Sequence, residues 1–442
     1  MANFVFLLKN LLVVSAAVNI GLVWKNMSDE INGKVASSSL RNCEKKLHCH
    51  GCLSSNGGQD ETAQVSRKQV LLSSTTSFSR DDDDEPDGGD VDDDGAVINL
   101  DQTGEETTVV TSSWQFMSYF SDLNNICWFL EPAFASAVTR LHEVVGNAIT
   151  EGRHIVVGTG SSQLYHAAIY ALSPPDGLEP MNVVSAVPFY SSYDVMTDYL
   201  KSGVHKWAGD AYKFDKQKPY IEVVTSPNNP DGSIREAVVN GDQGSLIYDL
   251  AYYWPQYTPI STPAEYDIML FTTSKCTGHA GIRIGWALVK DREIAKKMTK
   301  YIEINTIGVS KDSQIRAAKI LEAVSGSVDD GNNETFFDYS YELMAKRWKE
   351  LREAVNHTEL FSLPEFPVKT CSFSGRTFGQ LPAFAWLKFN GKVDDCESFL
   401  RDHKIITRGG ERFGASKKYV RASMMSREKE FRLFTKRLSE IK

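Results

Sequence analysis

From Val97 onward, short apolar runs alternate with stretches of helical periodicity. The runs are Ile155–Val157, Asn182–Val187, Tyr220–Val224, Ser245–Tyr248, Asp267–Phe271 and Ile284–Val289. Apolar segments of that length, edged by Gly, Pro, Asn and Asp, predict strands covered on both faces. Helical periodicity falls at Ser162–Leu172, Glu293–Ile302, Asp312–Val324 and Asn333–Val355. Strands and helices in turn predict an α/β domain around a largely parallel sheet. From about Glu322 the pattern turns to helices with short strands, which predicts a smaller α+β domain. The expected division is 97–134 as the first part of the small domain, 135–320 as the large domain and 321–442 as the rest of the small one.

The amino-terminal quarter has another character. Residues 4–24 are strongly apolar, interrupted by Lys9 and Asn10. They predict a signal-anchor across a membrane, with a cleaved signal peptide as the alternative. The membrane expected is that of the endoplasmic reticulum. Lys9 and Lys25 flank the apolar core on both sides, so charge leaves open which side the body lies on. Residues 25–96 are rich in Ser, Asp, Gly and Lys, and predict a disordered acidic tether. Residues 81–94 alone hold ten acidic side chains, and without them the formal net charge of −9 becomes +1. No basic stripe stands out, which argues against a nucleic-acid partner. Cys43, Cys49 and Cys52 cluster with His48 and His50. That group is compatible with a cysteine-containing linker, a zinc site or a small disulfide module. Sequons at Asn26, Asn333 and Asn356 bear on the question only if the body is luminal.

The chemistry gathers at the expected strand ends, where open α/β sheets bind ligands. Gly158-Thr159-Gly160-Ser161-Ser162 follows a strand and opens a helix, a cradle of free N–H groups suited to phosphate. Taken alone it is also an ordinary strand-to-helix turn. Asp249 closes a buried strand, where a carboxylate is costly unless paired; a pyridinium N–H would pair it, or it caps the next turn. Asn229, in Ser226-Pro227-Asn228-Asn229-Pro230, could donate to a phenolate-like oxygen, with Tyr252 beside it. Tyr190 could stack on a flat ring or pack in the core. Lys275 follows another strand, and Arg283 comes eight positions later in a small-residue loop. A lysine so placed can condense with an aldehyde cofactor while Arg283 and Ser274 hold its phosphate. Arg421, inside the short apolar strand Tyr419–Ser423, would take a substrate carboxylate or a structural partner. The set points to pyridoxal phosphate and amino-acid chemistry.

These strings resemble one family, the plant alliinase and tryptophan aminotransferase group of fold-type I pyridoxal-phosphate enzymes. The resemblance is carried by Met117-Ser118-Tyr119-Phe120-Ser121-Asp122, the Gly-Thr-Gly-Ser turn, Pro188-Phe189-Tyr190, and Thr225 to Gly232. Tyr252 to Ile260, Ser274-Lys275 with Gly278-His279-Ala280-Gly281, and Tyr419-Val420-Arg421 complete it. It covers most of 97–442 and leans to the tryptophan aminotransferase branch. It implies that Lys275 is the lysine joined to the cofactor and the base at the α-carbon. It implies Asp249 at the pyridine nitrogen, Asn229 and Tyr252 at the ring oxygen, and Tyr190 stacked on the ring. Gly160, Ser161, Ser162, Ser274 and Arg283 would hold the phosphate, and Arg421 the substrate carboxylate. Tyr119 would reach the phosphate of a second subunit, since the resemblance implies a homodimer with shared sites.

At one place the chain departs from the family pattern. After Asn99-Leu100-Asp101 it runs through Gln102-Thr103-Gly104-Glu105-Glu106 to Thr107, without the usual aromatic-rich Gly-Asp-Pro or Gly-Asp-Gly stretch. The function expected is transfer of the amino group of L-tryptophan to a keto acid such as pyruvate, giving indole-3-pyruvate for auxin synthesis. The rival readings are an alliinase-type carbon–sulfur lyase and an inactive, cofactor-binding paralogue.

Overall fold

The computed structural model describes residues 120–442 except 175, 176, 178 and 330–334, together with the backbone of Ile98–Asn99. The apolar run at 4–24, the acidic tether, the cysteine cluster and Tyr119 lie outside the described residues. Among the described residues no helix is long and apolar enough to cross a membrane.

Seven strands build the main sheet: β1 (His154–Gly158), β2 (Met181–Ser185), β3 (His205–Asp210), β4 (Tyr220–Thr225), β5 (Gly244–Asp249), β6 (Ile268–Thr272) and β7 (Gly285–Val289). Their order is β1-β7-β6-β5-β4-β2-β3. Only β7 runs antiparallel to its neighbours. The other six therefore end on one edge, and β7 starts there. Strands β4, β6 and β7 are buried at every position, as expected of strands covered on both faces. β3, with the sequence HKWAGD, is one of the two edge strands. Its polarity suits an edge and hides it from hydrophobic patterning.

Nine helices are described: α1 (Pro132–Val145), α2 (Gly160–Leu172), α3 (Tyr193–Asp198), α4 (Thr273–Cys276), α5 (Arg292–Thr306), α6 (Lys311–Asp329), α7 (Phe336–Thr358), α8 (Cys396–Asp402) and α9 (Glu428–Glu440). Several are bounded by local chemistry. Pro132 starts α1 and Gly146 ends it in the left-handed region at φ 69°. The Asp291 carboxylate accepts from Ile294 N–H at the start of α5, and Thr335 and Asp338 form a capping box on α7. The positions 134/135 and 320/321 fall inside α1 and α6, so the chain is continuous helix at both.

A second sheet comprises β8 (Phe361–Ser362), β9 (Phe384–Phe389), β10 (Arg408–Gly409) and β11 (Tyr419–Ser423), all antiparallel, in the order β10-β11-β9-β8. Ile98–Asn99 pairs in parallel with Ile405–Ile406. One apolar core runs through the body. At its centre Trp254, Phe271, Trp286 and Phe337 pack together, with no exposure above 1%. His142 lies among these rings as a fixed neutral imidazole. The Trp286 indole N–H donates to His142 Nε2 at 2.9 Å, and His142 Nδ1 pairs with Asn147 Oδ1 at 2.8 Å. Burial lowers its pKa to about 4.

Candidate active site

The common edge of the main sheet gathers the polar groups. β6 delivers Lys275 in the first turn that follows it. The Thr272 side chain accepts from Ser274 N–H and so starts the four-residue helix α4. The Tyr257 hydroxyl donates to the Lys275 carbonyl at 3.2 Å, and the Gln256 amide donates to the Cys276 carbonyl at 2.9 Å. These bonds fix the backbone under the lysine. Its Nζ lies 5.7 Å from the Tyr252 ring centre and 5.8 Å from that of Phe384. Burial, with Arg421 and Arg283 nearby, lowers the Lys275 pKa from 10.5 to about 8, against the opposing pull of Asp249.

Asp249 ends β5. Its Oδ2 accepts from the Tyr193 hydroxyl at 2.8 Å and its Oδ1 from Ala251 N–H at 3.2 Å. It therefore caps the following turn and still faces the site. Burial raises its pKa; the Tyr193 hydroxyl, Ala251 N–H and Lys275 oppose that rise. Tyr193 also meets Thr225 Oγ1 at 2.7 Å and stacks on Tyr165 at 5.1 Å. Sequence reasoning passed over Tyr193 in favour of Tyr190, whose ring stands edge-on to it at 5.3 Å. The signal was a tyrosine three positions on, at the start of a helix that opens on this edge.

Asn229 links two of the predicted groups. Its amide donates to the Tyr252 hydroxyl at 3.3 Å, and its carbonyl oxygen accepts from Arg421 Nη1 at 3.2 Å. Arg421 comes from the second sheet, opposite Trp386 on β9 and Arg408 on β10. It is 3% exposed, and its guanidinium carbon lies 4.0 Å from the Phe384 ring centre. A planar cation sandwiched in this way presents its fork in one direction, which suits a carboxylate. Phe384 sits on another sheet from Lys275 and was not singled out from the sequence.

The opposite side of the site is a cradle. Gly160 opens α2 in the left-handed region at φ 73°, and a Cβ built there would lie 2.7 Å from Arg283 Nη2. A Cβ on Gly285 would lie 2.7 Å from Ser161 N. Both glycines thus keep the guanidinium and the helix start in close approach. Ser161 and Ser162 stand in the first turn of α2, and Ser274 shares the turn of Lys275. A helix start, a guanidinium and hydroxyls make a phosphate site.

Each described candidate residue therefore reaches the same edge or its facing arginine. An open cleft of about 480 Å³, lined by Pro188, Asp231, Trp386 and Tyr419 among others, lies beside these loops. Lys275 and Asp249 do not line it, so charge and not volume locates the chemistry. A lysine of lowered pKa, a buried carboxylate across from it and a phosphate cradle fit pyridoxal phosphate in its aldehyde, ring-nitrogen and phosphate groups. The fold is that of the fold-type I pyridoxal-phosphate-dependent class. Solved structures agree on the fold: a tetra mutant of Thermus thermophilus aspartate aminotransferase superposes with a TM-score of 0.55 at 17% identity, over 71% of this chain and 86% of that one. An Escherichia coli protein described as having a methionine aminotransferase function gives 0.54 at 16%, over 72% and 85%.

The chain belongs to the alliinase family, whose model, described as Allinase, matches residues 99–442. Tryptophan aminotransferase-related protein 2 of Arabidopsis thaliana is 58% identical over 339 residues, 76% of this chain and 77% of that protein. Tryptophan aminotransferase-related protein 1 of Oryza sativa subsp. japonica is 54% identical, over 76% and 78%. Alliin lyase 1 of Allium sativum is 37% identical, over 75% and 69%. Pyridoxal phosphate is the cofactor of these families.

Proposed function

We propose that this protein is an aminotransferase that converts L-tryptophan to indole-3-pyruvate, with a keto acid such as pyruvate as acceptor, in auxin biosynthesis. The observation that carries the reading is Lys275, a buried amine whose pKa burial and the charges of Arg421 and Arg283 lower to about 8, against the pull of Asp249. The relatives above 50% identity, all named tryptophan aminotransferase-related, supply the substrate class.

Each residue has a definable task. Arg421 takes the substrate carboxylate and aims the α-carbon toward Lys275. Lys275 Nζ, neutral in part near pH 8, accepts the proton that leaves that carbon. Asp249 accepts the ring N–H, a bond that the Tyr193 hydroxyl and Ala251 N–H align. Gly160, Ser161, Ser162, Ser274 and Arg283 hold the phosphate, Asn229 and Tyr252 serve the ring oxygen, and Tyr190 covers the ring. When bound, the cofactor draws electrons from the α-carbon through its ring. Two chains are proposed to share their sites, with Tyr119 serving the neighbour's phosphate. Residues 4–24 are the proposed anchor in the endoplasmic reticulum membrane, a reading that rests on sequence alone.

A second reading, a carbon–sulfur lyase, draws support from the family model and the alliin lyases. Products separate the two. Purified protein given L-tryptophan and pyruvate is expected to form indole-3-pyruvate and alanine in equal amounts. Pyruvate and ammonia from an S-alkyl-cysteine sulfoxide, without product from tryptophan, would establish the lyase instead. No turnover of either substrate would favour the inactive paralogue, which the short run after Asp101 motivates.

A further inference from the structure

Two side chains read above as ring contacts, Tyr190 and Asn229, stand on irregular loops after β2 and β4. One arginine joins the loops. Arg235 Nη1 donates to the carbonyls of Ala186 at 2.7 Å and Pro188 at 3.0 Å. Its Nη2 donates to Asp231 Oδ2 at 2.7 Å and its Nε to Ser233 Oγ at 3.0 Å. Its backbone N–H donates to Ser226 Oγ at 2.9 Å. The Asn228 amide donates to the same Pro188 carbonyl at 2.9 Å and to Asp231 Oδ1 at 2.7 Å. Ser233 adds its N–H and hydroxyl to that carboxylate oxygen at 3.1 and 2.8 Å.

The side chains of Arg235 and Asp231 are only 13% and 18% exposed, so solvent does little to weaken this pair. The contacts of Arg235 come within two residues of Tyr190, at Pro188, and within two of Asn229, at Asp231. A planar guanidinium meets several acceptors at fixed angles; a lysine ammonium at the end of a flexible stem cannot hold both carbonyls and the carboxylate in one geometry.

We infer that Arg235, oriented by Asp231, is a positioning residue that sets the distance and tilt between the Tyr190 ring and the Asn229 amide. The inference rests on the reading that those two side chains contact the cofactor ring. Arg235 itself touches neither of them. Its loss is expected to act on how the ring is held, before the fold is lost.

The test compares Arg235→Lys, Asp231→Asn and Asn229→Ala in the pyridoxal-phosphate-loaded protein. Three quantities are read: the melting temperature, the dissociation constant for pyridoxal phosphate, and the pH at which the bound cofactor's visible absorbance changes. Asn229→Ala removes a donor to the ring oxygen and should raise that pH. Arg235→Lys is expected to move it in the same direction by at least half a unit and to weaken cofactor binding about fivefold or more. Asp231→Asn, which keeps the shape of the loop, should give a smaller change of the same sign and serves if Arg235→Lys does not fold. A lowered melting temperature with unchanged titration and affinity, while Asn229→Ala shifts both, would reduce Arg235 to a structural role. An Asn229→Ala variant indistinguishable from the parent would overturn the ring contact, and the inference with it.

Discussion

Replacing Lys275 by methionine should make the cofactor-free protein more stable, and on the proposed function it is expected to end turnover. In the folded chain the Lys275 pKa is about 8, against 10.5 for an ordinary lysine. That difference of about 2.5 units is worth about 3.4 kcal/mol at 1.36 kcal/mol per unit. The sign follows from proton binding. Below about pH 8 both states carry the ammonium, and the folded state bears the whole cost of burying it beside Arg421 and Arg283. Between about 8 and 10.5 the folded amine is neutral while the unfolded one is still charged, so the cost shrinks as pH rises. Above 10.5 it is gone.

Methionine keeps an unbranched apolar stem between Tyr252 and Phe384 and carries no charge. It loses the attraction of the ammonium to two rings, on the order of 0.5–1 kcal/mol each. The expected net gain at pH 7 is about 2 kcal/mol, or roughly 2–3 °C in melting temperature for a chain of this size. The assay is thermal unfolding of both proteins, stripped of cofactor, at pH 7 and pH 10. The Lys275→Met protein should melt higher at pH 7, and its advantage should shrink by more than half at pH 10. Equal melting at pH 7, or an advantage independent of pH, would refute the reasoning that burial strains this lysine.

Other outcomes follow from the same geometry. Gly160→Ala forces a Cβ against Arg283 Nη2 at a left-handed φ; it should weaken pyridoxal phosphate about tenfold by equilibrium titration and cost about 1 kcal/mol of stability. Arg421→Lys loses the bidentate fork, and should lower kcat/KM for the amino acid roughly 30- to 100-fold through KM while leaving the absorbance of bound cofactor unchanged. His142 stays neutral in the fold, whereas an unfolded histidine takes a proton below about pH 6.5. Its stabilisation is therefore lost as pH falls from 6.5 through about 4, close to 2 kcal/mol by pH 5. His142→Gln should flatten that part of the melting-temperature profile.

The strands that carry the site were legible because a strand buried on both faces must be an unbroken apolar run, and β4, β6 and β7 are such runs. β3, at one of the two edges, was not, since an edge tolerates Lys, Gly and Asp, although the other edge strand, β1, keeps an apolar run. Lys275, Asp249, Gly160 and Arg283 were legible for a related reason. Each is a polar or flexible residue at the end of an apolar run, where its cost demands a partner. Tyr193, Phe384 and Arg235 carry no such local tension. A tyrosine opening a helix, a phenylalanine in a strand and an arginine in a turn are ordinary in sequence. Phe384 and Arg421 are neighbours on paired strands of the second sheet, and only the closure of that sheet over the main one sets them against Lys275. Only the packing of α3 turns the Tyr193 hydroxyl onto Asp249.

The charges at the site also carry an argument about what completes it. Burial depresses Lys275 most, Arg421 and Arg283 add to that, and Asp249 pulls the other way. Among the described residues these three cations share a partly dry setting, where like charges repel far more than in water. An anionic ligand would ease that repulsion. The cradle at Gly160 and Arg283 calls for one at the phosphate end, and the fork of Arg421 calls for a carboxylate at the other. Between them Lys275 stands where an incoming anion would ease its repulsion. Anion binding and the protonation of the lysine are therefore expected to be coupled, since the groups proposed to bind the reactants also set the basicity of the residue proposed to act on them.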